Sequence, residues 1–240
     1  SGGPTIASSM GSNDLLLKTI YPLGQDSTSE ASRTVWHSWN RVGERTGIID
    51  QNKTKHAYGL DKLGRVTRDE VTASAAHIDT TVNKLEFTFD GAGRISKVTG
   101  LDVTTVKNEV EFAYTGLGQI AKVYQHQKGA VSVDGSGLPT MDTRLVSYTY
   151  ADSAVASGSA GSNFSRLVGL SYPRRANSSG VNPETLDYVY GGSTSLSDRI
   201  SRISQDKFNL TSRSNIAMAN FEYVGMATPA LVDLEQADVQ

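Results

Sequence analysis

The chain has 240 residues, of which 38% are hydrophobic and 20% are charged, and its formal net charge is −2. This near-neutral charge gives no electrostatic reason to expect nucleic acid or an anionic membrane as a partner. Cysteine is absent and no stretch of about 18 consecutive apolar residues occurs, which excludes disulfides, thiolate metal sites and a helical membrane span.

In chain order, residues 1–14 read as a leader or linker. Residues 15–225 are predicted to form one β-sheet domain, because LEFTFD and EVEFAYT alternate apolar and polar residues with the period of a half-buried strand. The pattern returns in RLVSYTY, LDYVY and ANFEYV. Residues 226–240 are predicted to be a C-terminal tail that contains one weak helix candidate, ATPALVDLEQADVQ. The expected fold class is all-β, with little or no helix.

One motif recurs within the domain, at 58–69 (YGLDKLGRVTRD), at 87–98 (FTFDGAGRISKV) and, without its Asp and Arg, at 112–123 (FAYTGLGQIAKV). An Asp that opens a tight turn can accept a backbone N–H group, and a glycine three residues later suits a left-handed position. Each copy therefore predicts one β-hairpin, and Gly43 with Asn40 marks a degraded earlier copy. The predicted structural turn residues are Asp61, Gly64, Arg65, Asp90, Gly93, Arg94 and Gly118.

The turn interpretation gives a direct expectation for mutants. If Gly93 is left-handed, Gly93→Val should cost roughly 1–2 kcal/mol or more. The same change at Gly100, outside the motif, is expected to matter less.

A second repeated element is a pair of apolar residues three positions apart. Residues with this spacing face opposite sides of a flat strand, so a bulge or strong twist is expected at each pair. The pairs are Leu17/Ile20, Ile95/Val98, Ile120/Val123, Leu167/Leu170 and Ile200/Ile203.

The recurring frame resembles the tyrosine–aspartate (YD) repeats of the rearrangement-hotspot (Rhs) family. Two complete copies carry the resemblance: Tyr58, Asp61, Gly64 and Arg65, then Phe87, Asp90, Gly93 and Arg94. The resemblance covers roughly residues 15–225 and weakens after residue 144. It implies a spiral of stacked β-hairpins, part of a larger secreted or cell-surface shell. Its partners would be neighbouring repeats of the same protein, with an enclosed toxin domain or a surface glycan as further candidates.

Residues that could carry chemistry have simpler structural explanations. Trp36 and Trp39 could bind a sugar face, although packing at the end of the repeat array is the preferred interpretation. Asp61 and Asp90 could form an acid–base pair, but their identical turn context favours capping. Arg65 and Arg94 are expected to pair with the turn Asp or to stack on an aromatic ring of a neighbouring repeat. The histidines share no short spacing, and we expect no cofactor and no metal site.

Three hypotheses about function follow. The leading one is a non-catalytic structural segment of a large YD-repeat shell protein. The second is a cell-surface module that binds a glycan or a protein. The third is a hydrolase whose site, including His126 and Asp142, lies on the loops 126–143 and 174–185. The parent protein, its cargo, the ligand and the oligomeric state do not follow from the sequence.

The two ends of the predicted sheet are expected to be open edges. Unpaired N–H and C=O groups on such strands promote association with another chain. We therefore expect residues 15–22 or residues 219–224 to pair with a second copy or to be covered by the flanking tails.

Overall fold

The computed structural model describes residues 14–22, 30–74, 78–140, 142–151, 166–173, 184–190, 203–210, 213–224 and 228–234. These residues form β-strands and one 3-10 turn, Glu30–Arg33, and they contain no α-helix. The predicted all-β class is confirmed. The strands are β1 (Lys18–Ile20), β2 (Thr34–Trp39), β3 (Arg45–Ile49), β4 (Lys55–Leu60), β5 (Val66–Ala73), β6 (Lys84–Phe89), β7 (Ile95–Asp102), β8 (Thr105–Tyr114), β9 (Ile120–His126), β10 (Arg144–Ala151), β11 (Arg166–Tyr172), β12 (Glu184–Tyr190), β13 (Ile203–Leu210), β14 (Arg213–Val224) and β15 (Thr228–Leu234).

The chain divides into two compact units. The first comprises Ser1–Glu111, Gln125–Val133 and Thr140–Asp142, and the second comprises Phe112–Tyr124, Asp134–Pro139 and Thr143–Gln240. In the first unit, strands β1 to β8 pair antiparallel in sequence order. In the second, strands β10 to β15 do the same. Each unit is therefore a succession of antiparallel hairpins.

Few apolar side chains are buried in the described part of the chain. They are Ile49 and Leu101 in the first unit and Tyr124 in the second. Most other strand residues are half-buried. Because no large apolar core is closed off within a single hairpin, cross-strand pairs and contacts between neighbouring hairpins must supply much of the stability.

The predicted bulge is present at two of the apolar pairs. Phe87 lies opposite Val98 and Phe89 opposite Ile95, so the intervening register shift brings both members of the pair to one face. Leu167 and Leu170 are related by a similar shift in β11. The register of β1 runs through Ile20 without a shift, so no bulge accompanies Leu17/Ile20 there. Ile200 lies outside the described residues.

The bulges near the turns have a common position. In three hairpins the register skips the second residue after the turn, which is Thr46, Thr67 or Ser96. Each bulge increases the local twist of the sheet. The hairpins therefore share a distortion as well as a turn.

Residues Thr228–Leu234 of the C-terminal stretch form a strand and not a helix. Residues of β15 pair antiparallel with β14 from Ala219↔Leu234 to Val224↔Thr228. Pairing with the edge of β14 overrides the weak helical pattern of this stretch. The expected cover over residues 219–224 is thus provided by the C-terminal segment itself.

Val103 gives a prediction that is independent of the repeated turns. It lies between β7 and β8 with φ +56°, and its side chain is 66% exposed. A β-branched residue in this conformation is strained, whereas asparagine tolerates it. We expect Val103→Asn to raise the free energy of unfolding by about 1 kcal/mol. Urea unfolding would measure this, and an unchanged or lower midpoint would contradict the strain.

Candidate functional site

A five-residue turn occurs six times among the described residues. In every copy the first N–H donates to the fifth C=O at 2.8–3.0 Å, and the fourth N–H donates to the first C=O at 2.9–3.2 Å. The fourth residue has φ between +72° and +88°. The copies are Asn40–Glu44, Asp50–Thr54, Asp61–Arg65, Asp90–Arg94, Thr115–Gln119 and Asp134–Leu138.

Asp61 closes its turn with both carboxylate oxygens. Its Oδ1 accepts the backbone N–H groups of Leu63 at 2.8 Å and Arg65 at 3.0 Å. Its Oδ2 accepts a hydrogen bond from Nε of Arg65 at 2.7 Å and also lies 2.7 Å from Nη2 of Arg65. Two guanidinium nitrogens therefore converge on one carboxylate oxygen, and such charge-assisted hydrogen bonds are stronger than neutral ones. The side chain thus ties positions one, three and five together.

Asp90 makes the same set of bonds. Its Oδ1 accepts the N–H groups of Ala92 and Arg94, both at 2.9 Å, and its Oδ2 accepts Nε of Arg94 at 2.7 Å. Two hairpins of different tip sequence, Lys-Leu and Gly-Ala, therefore share one local structure. The identity of the second and third residues is not what sets the turn.

The bonds within the turns shift both aspartate pKa values downward. For Asp61, burial against the turn raises the pKa, but hydrogen bonds from the Arg65 side chain and from backbone N–H groups outweigh it, so the pKa lies below its usual range. For Asp90, the hydrogen bond from the Arg94 side chain is the largest cause of a lowered pKa. Both carboxylates are therefore held ionised, which suits a cap and not a general acid.

Two copies build the same turn from other side chains. Asn40 Oδ1 accepts the N–H groups of Val42 and Glu44, both at 3.0 Å, and its Nδ2 donates to Glu44 Oε2 at 2.6 Å. In the copy at 115–119, Thr115 Oγ1 accepts the N–H of Gln119 at 3.2 Å and donates to its Oε1 at 3.0 Å. In these two copies the first and fifth side chains are joined by a hydrogen bond without an Asp–Arg ion pair.

Sequence reasoning missed two copies. Asp50 Oδ1 accepts the N–H of Thr54 at 2.7 Å, with Lys53 in the left-handed position. Asp134 Oδ1 accepts the N–H groups of Ser136 and Leu138, inside a segment that the sequence predicts to be a long loop. The Asp-x-x-Gly spacing in DGSGL could have revealed the second copy. The turn Asp50–Thr54 has no glycine, so Asp50 is its only sequence signal.

The turns Asn40–Glu44, Asp61–Arg65 and Asp90–Arg94 also contact one another. A Cβ placed on Gly64 would collide with the carboxylate of Glu44, and a Cβ placed on Gly93 would lie 3.2 Å from Nη1 of Arg65. The fifth side chain of one turn therefore covers the glycine of the next. Arg65 also stacks on the ring of Phe89, with Cζ 4.1 Å from the centroid.

The Arg65–Phe89 stack should couple the two hairpins energetically. In a double-mutant cycle of Arg65→Ala and Phe89→Leu, we expect a coupling of about 0.5–1 kcal/mol. The cycle cancels the separate loss of the Asp61 pair, which Arg65→Ala causes in both backgrounds. Urea unfolding of the four proteins gives the coupling. A value of zero within error would show that the stack contributes nothing.

Gly100 is a poor control for the Gly93→Val substitution, although it lies outside the motif. Its φ is not positive, but it is buried, and a Cβ there would lie 2.5 Å from Oδ1 of Asn108 on the opposite strand. A Cβ added to Gly91, in the same turn as Gly93, would have no other atom within 4 Å. Gly91 is therefore the better matched control.

The two tryptophans are engaged within the protein. Nε1 of Trp39 donates to the C=O of Leu16 at 3.0 Å, and the guanidinium of Arg45 lies 5.3 Å from its ring centroid. The ammonium of Lys18 lies 5.6 Å from the ring of Trp36. Sugar binding at these residues stays a prediction.

The residues of the hydrolase hypothesis are placed as follows. His126 is buried, and its Nδ1 accepts the N–H of Lys128 at 3.2 Å. Asp142 is exposed. Most of the loop 174–185 lies outside the described residues. His126 is therefore occupied in holding its own loop.

A buried carboxylate that the sequence did not single out fixes the same loop. Glu109 is 4% exposed and accepts hydrogen bonds from Thr99 Oγ1 at 2.8 Å and from the N–H of Val131 at 3.0 Å. Lys97 lies 3.5 Å from Glu109 and 2.6 Å from Glu111. The hydrogen bond to Glu111 is the largest cause of the raised pKa of Lys97. These side chains anchor the segment around Val131 to β7 and β8.

No protein-family model and no curated protein matches the chain. It is similar to chains in crystal structures of TcdB2-TccC3-Cdc42 (13% identity, TM-score 0.40), TcdB2-TccC3 without its hypervariable C-terminal region (12%, 0.42) and TcdB2-TccC3-TEV (8%, 0.36). The matches cover 81–83% of this chain and 10–11% of those chains. This chain thus spans about a tenth of their length, and superpositions with these scores support no conclusion about its role. No helix in the described ranges has the length and apolarity needed to cross a bilayer.

Proposed function

We propose that the chain is a non-catalytic structural segment of a larger YD-repeat protein. The observation that carries the proposal is the seating of one turn on the next, with Glu44 over Gly64 and Arg65 over Gly93. A hairpin whose turn is completed by its neighbour is a unit suited to stacking. Units of this kind bury their surfaces only as members of an array.

The role assigned to the turn side chains supports the same proposal. Asp61 and Asp90 each use their oxygens on backbone and arginine groups of the same turn. Side chains committed in this way hold geometry and have little capacity left for a substrate. The repeated frame is therefore better explained by architecture than by catalysis.

The proposal extends to the setting of the parent protein. Membership of the YD-repeat family rests on the motif and on the turn that it encodes. Neighbouring repeats of the same polypeptide are the proposed partners, and the resemblance suggests a secreted or cell-surface location. An enclosed toxin domain or a surface glycan is a further proposed partner of the whole protein.

A pair of assays tests the absence of other activities. We expect no saturable binding on a broad glycan array and no turnover on a panel of hydrolase substrates. Glycan binding that Trp36→Ala with Trp39→Ala abolishes would favour a surface-recognition module instead. Turnover that His126→Ala with Asp142→Ala abolishes would favour the hydrolase.

A further inference from the structure

A small cleft lies on the sheet where β4, β5 and β6 run side by side. Its volume is about 190 Å³, and its apolar walls are Val71, Val82 and Leu85. His56 and Asp69 also line it. The cleft is separate from the repeated turns and does not depend on the scaffold role.

Strand register explains why these side chains converge. His56 lies opposite Val71, and Asp69 lies opposite both Tyr58 and Leu85. Directly opposed residues share a face of the sheet. A carboxylate and an imidazole are therefore placed among aliphatic and aromatic neighbours.

The polar pair has a defined hydrogen-bonding state. Nδ1 of His56 lies 2.8 Å from Oδ1 of Asp69. An ionised carboxylate only accepts, so Nδ1 carries the proton; when the ring is neutral, Nε2 is an acceptor. The pair then carries one negative charge, and the side chains are only 31% and 27% exposed.

The other polar groups of the cleft are already engaged. Nζ of Lys84 lies 2.9 Å from Glu86, and the Asn83 amide bonds to Asp102 and to the N–H of Val103. No hydrogen-bond partner within the described ranges is found for Nε2 of His56 or Oδ2 of Asp69. Since Lys84 is paired with Glu86, the cleft presents the free oxygen of the Asp69 carboxylate and, when the ring is neutral, Nε2 of His56 beside an apolar surface.

We propose that this cleft binds a small molecule with an apolar body and a primary ammonium group. The ammonium group would donate to Oδ2 of Asp69 and to Nε2 of His56, while the apolar body packs on Val71 and Leu85. Apolar clefts with a few convergent polar groups are the usual form of small-molecule sites. A carboxylate ligand of the same size is repelled by Asp69.

Three probes of similar size test the chemistry on the unmodified chain. Benzylamine, benzyl alcohol and benzoate are each titrated near pH 8, where an ordinary histidine is neutral. Chemical shifts of the His56 ring and of the Val71 and Leu85 methyl groups are followed by NMR. We expect saturable shifts with benzylamine, at least fivefold weaker binding of benzyl alcohol, and none of benzoate. No saturable shift with benzylamine, or equal binding of benzoate, would overturn the proposal.

A matched pair of variants locates the site. Asp69→Asn and Glu70→Gln each remove one negative charge from the same strand, but consecutive residues face opposite sides of a sheet. We expect Asp69→Asn to weaken benzylamine binding at least fivefold and Glu70→Gln to leave it unchanged. Equal affinities in the two variants would contradict the site, even if the wild type binds benzylamine.

Discussion

Replacing Gly93 with valine is expected to destabilise the chain by roughly 2–3 kcal/mol, one of the largest effects expected of a single turn substitution. Gly93 has φ +82°, a conformation that a β-branched residue adopts only with strain. Its α-carbon is also covered by the guanidinium of Arg65, which a side chain would displace. The mutant therefore has a strained backbone at position 93 and loses a contact with the preceding hairpin.

Gly91→Val provides the control for this prediction. Gly91 lies two residues earlier in the same turn, its φ is not positive, and a side chain there meets nothing within 4 Å. We expect it to change the free energy of unfolding by less than about 0.5 kcal/mol. Thermal unfolding of the two mutants should differ by roughly 4–8 °C. Equal melting temperatures would refute the left-handed turn at Gly93.

Removing the Asp90 carboxylate is also expected to produce a large effect. Asp90→Ala leaves the N–H groups of Ala92 and Arg94 and the Arg94 guanidinium without their acceptor. Asp90→Asn retains an acceptor oxygen for the two N–H groups, as Asn40 does in its own turn. We expect the urea midpoint to fall further for Asp90→Ala than for Asp90→Asn. Equal midpoints would mean that the backbone caps contribute nothing.

The lowered pKa values of Asp61 and Asp90 predict that the stability of the fold depends on pH. A carboxylate whose folded-state pKa is depressed stabilises the fold above its unfolded pKa, near 4, and that contribution disappears as the pH falls through the depressed value. The wild type should therefore lose stability in this acid window. The double variant Asp61→Asn with Asp90→Asn should lose less between neutral pH and about pH 3. Parallel pH profiles would contradict the assignment.

Local sequence predicted the turns because the turn is a local structure. Gly64 follows Asp61 by three positions, and Arg65 is the next residue. All the side-chain hydrogen bonds of Asp61 are to residues 63 and 65. Lys53 escaped prediction since a lysine in the left-handed region carries no sequence signal. The turn at Asp134 lacks both the arginine and the flanking aromatic strand pattern.

The sequence predicted that Arg65 could stack on an aromatic ring of a neighbouring repeat, but it did not identify the partners in the contacts between hairpins. Nothing in the spacing says that Arg65 reaches Phe89, or that Glu44 covers Gly64, because these depend on sheet register and twist. The same limit applies to Gly100, which is crowded by Asn108 across the strand pair. The pairing of His56 with Asp69 likewise follows from the register of β4 on β5.

Hydrogen exchange in the Gly93→Val protein tests most directly whether neighbouring hairpins form one coupled array. If the turns lock together, amide protection should fall in the mutated turn and also at Leu63, Gly64 and Arg65 in the preceding turn. Gly91→Val should leave both turns protected. Loss of protection confined to β6, β7 and their own turn would contradict the proposal that each turn is completed by its neighbour.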